Sequence, residues 1–188
     1  IHLQRASDLI EKLSIKMYKR NPDELSKTEN RSIEESVEKI IACPSPGGYR
    51  EVNYNKGTDA ILLGLSKNFQ GDRVFAVMYG LYSMLLKSYE NKCEFFFTDR
   101  LDQQKLYNSA RNIEILVWRL KTRVDANGAP LLLTNCTTGP VINISYERLF
   151  GKLISLQDTL AVIVSERTSR TIKKVVHFTG MSFLPVGL

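Results

Sequence analysis

The stretch between Gly71 and Glu90 limits what this chain can fold into more than any other. It carries Val74, Phe75, Val77, Met78, Leu81, Tyr82, Met84, Leu85 and Leu86, so apolar side chains fall on nearly every side of a helix. Such a helix has no face to give to water and must be central, with other elements wrapped around it. Asp72, just after Gly71, is placed to cap its start. Met78 and Met84 fit its interior as core filler. The chain has no run of about eighteen apolar residues, so no transmembrane helix is expected.

The wrapping elements are legible as amphipathic helices. Leu3, Ala6, Ile10, Leu13 and Met17 recur at helical spacing over residues 3–19, and Asn21-Pro22 ends that helix. Pro22 can open a further short turn through Leu25. Ile33, Val37, Ile40 and Ile41 mark a helix over 33–42, with Ser32 and Glu35 spaced as a capping box. Residues 58–69 hold Ala60, Ile61, Leu62, Leu63 and Leu65. A long helix over 102–123 starts from Asp99 or Asp102 and carries the line Leu106, Ala110, Ile113, Val117 and Leu120. The last helix runs from Ser145 or Tyr146 to about Phe178, with Leu149, Leu153, Leu156, Leu160 and Ile163 at alternating four and three spacing.

The breaks are fewer. Cys43-Pro-Ser-Pro-Gly-Gly48 opens a loop over 43–57, where Pro and Gly cannot continue a helix. Cys93 to Thr98 is short and aromatic, suited to an extended plug or strand. Pro130 to Cys136 and Val141 to Ile144 flank Thr137-Thr138-Gly139-Pro140 and could pair as a hairpin. The fold expected is therefore all-α. It is a bundle of about six or seven helices with a short irregular or β-hairpin-like insertion near 129–144. Residues 1–188 form one domain, with N-terminal helices over 3–42, the loop 43–57 and the main bundle over 58–188.

Charge narrows the partners. The formal net charge is +6 and is unevenly placed: 15 Lys and Arg face 14 Asp and Glu in residues 1–100, against 11 and 6 in residues 101–188. A basic second half suits an anionic lipid, an acidic partner or a nucleic acid. Nucleic-acid binding would also want exposed aromatics among the basic residues, whereas Tyr107 and Trp118 sit where helix packing accounts for them. The three cysteines, Cys43, Cys93 and Cys136, are widely spaced. One disulfide plus a free thiol fits them, with the pairing open. Two histidines and no Cys-x-x-Cys leave no zinc pattern, and no metal or cofactor is implied.

No catalytic motif stands out. His2 lies at the terminus, and His177 reads as a packing residue beside Val175, Val176 and Phe178. Gly47-Gly48 lacks the Gly-Lys-Ser/Thr of a phosphate loop. Glu94, Asp99 and Asp102 could supply paired carboxylates, although helix capping accounts for the two aspartates. The most unusual polar grouping is on helix 102–123: Asn108, Arg111, Asn112 and Glu114, beside Ser109, lie within two turns. Two readings compete for it, a polar lock between helices and a binding pocket. A second grouping, Arg167, Arg170, Lys173 and Lys174, continues the leucine line of the last helix as a basic contact face, suited to an anionic membrane or to solvent.

Three stretches carry a family resemblance. They are Gly71-Asp-Arg-Val-Phe-Ala to Glu94-Phe, Gln104-Lys-Leu-Tyr-Asn-Ser-Ala-Arg-Asn-Ile-Glu-Ile-Leu-Val-Trp-Arg-Leu120, and Glu147-Arg-Leu-Phe-Gly-Lys-Leu-Ile-Ser-Leu-Gln-Asp-Thr159. Together they resemble an uncharacterised family of proteobacterial predicted lipoproteins over roughly residues 65–186, with Tyr107-Asn-Ser-Ala-Arg-Asn-Ile113 as the distinctive polar motif. The resemblance implies a periplasm-facing place in the cell envelope, with membrane anchoring through a lipidated N-terminus absent from this chain. It brings no activity. Ile40-Ile41-Ala42-Cys43 is shaped like a lipoprotein cleavage site, but Glu34, Glu35, Glu38 and Lys39 before it cannot form the apolar segment that site needs.

The expected function is thus non-enzymatic: an envelope lipoprotein domain acting as an interaction or structural module. Its partner would be an envelope protein or a membrane surface, with oligomeric state open. The alternative is a small-ligand binder or enzyme built on the polar patch of helix 102–123 with Glu94, Asp99 and Asp102.

Overall fold

A computed structural model describes residues 1–28, 31–43, 47–94, 100–135, 143–174 and 182–186. Among these residues the chain forms seven α-helices and no sheet: α1 (His2–Arg20), α2 (Pro22–Leu25), α3 (Ile33–Ile41), α4 (Gly57–Gly64), α5 (Arg73–Ser88), α6 (Gln103–Thr122) and α7 (Ser145–Thr168). A 3-10 turn over Arg50–Val52 lies in the loop before α4.

α5 is the centre. Every residue in it except Lys87 is buried. Asp72 caps its start by accepting from the Phe75 N–H at 2.8 Å. Around it one continuous core takes Ile10, Leu13 and Met17 from α1, Val37 and Ile40 from α3, Ile61 from α4, Ile113 and Leu116 from α6, and Phe150 and Leu153 from α7. A smaller cluster of Tyr89, Leu106, Tyr107, Leu160 and Ala161 closes one end of the α6–α7 pair.

Local sequence sets most helix ends. Ser32 and Glu35 form the capping box of α3, and Pro22 sits in the first turn of α2. Asp102 caps α6, accepting from the Lys105 N–H at 2.9 Å. α4 stops at Gly64, short of the expected 69, and its end is closed from a distance. The Arg73 guanidinium donates to the carbonyls of Gly64, Ser66, Lys67 and Phe69 at 2.8, 2.6, 3.3 and 2.8 Å. It thereby satisfies the carbonyl groups that a terminating helix leaves unpaired.

One expectation needs correction. α7 ends at Thr168 rather than near Phe178, because Ser169 adopts a left-handed conformation (φ 54°) and turns the chain. Arg170, Lys173 and Lys174 consequently lie beyond the helix, in a segment without regular structure. Its buried seam is Tyr146, Phe150, Leu153, Gln157 and Leu160. Leu149 and Leu156 flank that seam and Ile163 is exposed. The aromatic Phe150 takes the inward position, which rotates the helix away from the pure leucine line. The 129–144 insertion is irregular in its described residues, as expected, with an isolated bridge from Val124 to Pro130, while residues 136–142, where the expected hairpin would turn, lie outside the described residues. Cys136, the Thr137–Pro140 turn, Asp99, most of the 93–98 aromatic run and His177 lie outside the described residues.

Cys43 and Cys93 form a disulfide, with Cα atoms 6.0 Å apart. It ties the chain after α3 to the chain after α5, so Cys43 is a structural sulfur and not a lipid attachment point.

Candidate functional site

The polar face of α6 begins with its spacing. Gln104, Asn108 and Asn112 stand four residues apart, so the helix stacks three primary amides in a row. Each meets the polypeptide backbone that follows α7. Gln104 accepts from the Lys173 N–H at 2.8 Å and donates to the Lys173 carbonyl at 3.1 Å. Asn108 donates to the Pro185 carbonyl at 2.8 Å, and its own oxygen accepts from Gln104 at 2.9 Å. Asn112, fully buried, accepts from the Leu184 N–H at 2.6 Å and donates to the Leu184 carbonyl at 2.8 Å. An amide side chain that both donates to and accepts from one residue imitates the pairing of a neighbouring strand. The same device recurs at Asn21, which accepts from the Leu133 N–H at 2.7 Å and donates to its carbonyl at 3.0 Å.

Arg111 faces α7. Its Nη2 lies 2.6 Å from Asp158 and 3.0 Å from Glu114, and its guanidinium sits 5.0 Å from the centre of the Tyr107 ring. Asn108, Arg111, Asn112 and Glu114 are therefore engaged with groups of this chain, and the amides act as pins for the C-terminal segment. Gln104 and Asp158 belong to the same network although sequence reading passed over them. The four-residue amide spacing is the signal that could have drawn in Gln104; Asp158 has no local signature.

Elsewhere, buried charge is used in support of the fold. Asp72 accepts from the Tyr18 hydroxyl at 2.7 Å, and Glu24 accepts from the Arg73 N–H at 2.7 Å. Burial pushes the Asp72 carboxyl up to about 6, with Glu24 adding to the rise, against the lowering effect of the Phe75 N–H and the Tyr18 hydroxyl. Burial also raises Tyr18 well above the ordinary phenol range. Glu51 goes the other way. Burial alone would raise it, but hydrogen bonds from Lys39 and Arg31 outweigh that and hold it at about 2. Asp102 caps α6, and Glu94 is exposed. Among the described residues no group of three or more His, Cys, Asp or Glu could hold a metal ion, and no helix is long and apolar enough to cross a membrane.

The basic face is arranged differently. Arg167, Arg170, Lys173 and Lys174 are all exposed, and none enters an ion pair among the described residues. Val162 and Ile163, both exposed, lie on the helix turn just before them. The turn that presents them is fixed: Arg170 donates its N–H to the Ser165 carbonyl at 3.2 Å, and Gln104 pins Lys173.

Described residues of three segments line a cavity of about 590 Å3. It lies between Lys56–Asp59 at the start of α4, Ser83–Lys87 of α5, Asn91 and the segment Leu184–Val186. No residue of the sequence-predicted patch lines it, but Asn108 and Asn112 hold one of its walls. No protein-family model, curated protein or solved structure matches the chain.

Proposed function

We propose that this chain is a non-enzymatic interaction domain of the bacterial cell envelope, facing the periplasm and working through the basic face at the end of α7 against an anionic membrane surface. The observation that carries this reading is the patch of four exposed cations next to exposed Val162 and Ile163. Cations attract an acidic lipid surface, and neighbouring apolar side chains gain by entering its interface. The Cys43–Cys93 disulfide supports the compartment, since such bonds persist in oxidising spaces such as the periplasm. In this reading an N-terminal lipid anchor holds the domain at the membrane, and the basic face sets its orientation there. The α6 patch contributes by fixing the C-terminal segment.

Vesicle sedimentation tests it. The chain should bind vesicles containing phosphatidylglycerol, bind phosphatidylcholine vesicles weakly, and lose affinity as salt rises. Replacing Arg167, Arg170, Lys173 and Lys174 by Gln should abolish that preference with the melting temperature unchanged. Equal binding to both vesicle types, or a quadruple variant that binds as well as the parent, would overturn the membrane reading. Loss of pull-down of one envelope protein by the same variant, without vesicle binding, would point to a protein partner.

A further inference from the structure

The break at the end of α7 has no local cause. Between Gly151 and Gly180 the chain contains neither Gly nor Pro, yet α7 stops inside that stretch, at Ser169. Ser169 is exposed and left-handed (φ 54°), a conformation that side chains other than glycine keep only when their surroundings impose it. What imposes it lies further along. Gln104 pairs with both backbone groups of Lys173, Asn112 pairs with both backbone groups of Leu184, and Asn108 takes the carbonyl of Pro185. The hinge is strained, and the bonds that hold it strained are made by the segment it aims.

The amide row of α6 is a receptor for extended polypeptide, and its geometry restricts the occupant. The residue opposite Asn112 must carry an N–H, as Leu184 does. The residue opposite Asn108 gives only a carbonyl, so a proline fits there, and Pro185 takes that place. Val186 then enters the main core, and Phe183 lies 5.0 Å from the Arg119 guanidinium. The sequence that meets these demands is Phe183-Leu-Pro-Val186, and every copy of this chain carries it.

We infer that two copies of this chain exchange their C-terminal segments, each laying residues 183–186 against the α6 amides of the other. Rotation of Ser169 into the right-handed region releases the segment, and the pair remakes the same bonds across a two-fold axis. Closed monomer and exchanged dimer then differ chiefly in two ways. The monomer keeps the strain at Ser169, and the dimer loses the freedom of a separate molecule. Exchange is therefore governed by the hinge. It does not rest on the membrane reading, and it brings the basic residues of two copies into one particle.

Sedimentation equilibrium of the oxidised full chain tests this at the hinge, where an exposed side chain leaves the core undisturbed. Ser169→Gly should relax the closed turn and lower the dimerisation constant. Ser169→Val, whose β-branched side chain disfavours the left-handed region, should raise it, each by at least about fivefold. A second measurement reads the receptor. Leu184→Pro removes the N–H that Asn112 accepts and leaves the α6 amides intact, whereas Asn112→Ala does the reverse. Isotope-labelled Leu184→Pro should show shifted Asn108 and Asn112 side-chain amides when unlabelled Asn112→Ala is added, and no shift when unlabelled Leu184→Pro is added. A chain that stays monomeric in the parent and both hinge variants overturns the proposal. Dimerisation indifferent to residue 169 does so too, since it uses another face. Absence of amide shifts on mixing, or equal shifts from both added variants, has the same consequence.

Discussion

The Tyr18 hydroxyl donates to Asp72 Oδ2 at 2.7 Å, joining the end of α1 to the cap of the central helix. The other oxygen of Asp72 holds the Phe75 N–H, so one buried carboxylate serves both a tertiary contact and a helix start. Its folded-state carboxyl sits at about 6, above the ordinary value near 3.9 of an unfolded chain. The group therefore binds its proton more tightly when folded. Its contribution to stability is fully present below about pH 3.9 and is lost as pH rises through about 6, amounting to about 3 kcal/mol. Asp72→Asn keeps a capping oxygen but has no proton to titrate. Urea melts of both proteins from pH 3 to pH 7 should show the stability difference, parent minus variant, falling by about that amount. A difference that does not change with pH would dismiss this account.

Arg73, the next residue, replaces a C-cap. Its guanidinium serves four carbonyls while 8% exposed, and lysine cannot span the same fan of acceptors. Arg73→Lys should cost about 2 kcal/mol through carbonyls left unpaired. Hydrogen exchange should speed up first at the end of α4 and in residues 65–70, before the core of α5 responds.

The Cys43–Cys93 bond closes a loop with a sequence separation of 50. Chain-entropy reasoning gives it about 4 kcal/mol. Cys43→Ser with Cys93→Ser should lower the unfolding midpoint accordingly, and dithiothreitol should do the same to the parent but not to the double variant. A parent midpoint that ignores dithiothreitol would show that the bond contributes little to stability.

Features whose cause is local are legible in the sequence. Ser32 and Glu35, Asp72 and Asp102 act on groups within three residues of themselves, and each caps the helix its position predicts. The burial of α5 follows from its own composition. Features that depend on distant partners are not legible. Arg73 reads as an ordinary charged residue at a helix start, since its acceptors belong to another helix and the turn after it. Gln157 interrupts the apolar seam of α7 and is fully buried, facing the Tyr89 hydroxyl at 3.4 Å. Asn108, Arg111, Asn112 and Glu114 stand out as an unusual group, but whether they lock or bind depends on where residues 184 and 185 return, and periodicity carries no information about that return. The cavity is hidden for the same reason, as its walls are drawn from three separated segments.

Asn112 offers a direct reading of the C-terminal pin. Asn112→Ala removes both bonds to Leu184 and leaves that residue's N–H and carbonyl without partners. The cost should be about 2 kcal/mol. Limited proteolysis should cut near residues 182–186 in the variant well before the helices are attacked, whereas the parent should resist there. Simultaneous cleavage throughout the chain would mean that the pin stabilises the whole bundle rather than one segment.

The same substitution at two glycines should act with opposite sign. At Gly80 an added Cβ would lie 2.7 Å from the Gly57 carbonyl oxygen and 2.8 Å from the Ile61 backbone nitrogen. These are backbone atoms of the neighbouring α4, so relief requires the two helices to move apart. Gly80→Ala should therefore cost about 2 to 3 kcal/mol, despite the better helix propensity of alanine. At Gly151, within α7, a Cβ would meet nothing within 4 Å, and the residue is exposed. There only propensity counts, and Gly151→Ala should stabilise the protein by about 0.5 to 1 kcal/mol. Thermal melts of the two variants beside the parent decide the matter. If Gly80→Ala is as stable as the parent, α4 and α5 do not cross at the distance described, and the wall that Gly57 gives to the cavity is placed wrongly with it.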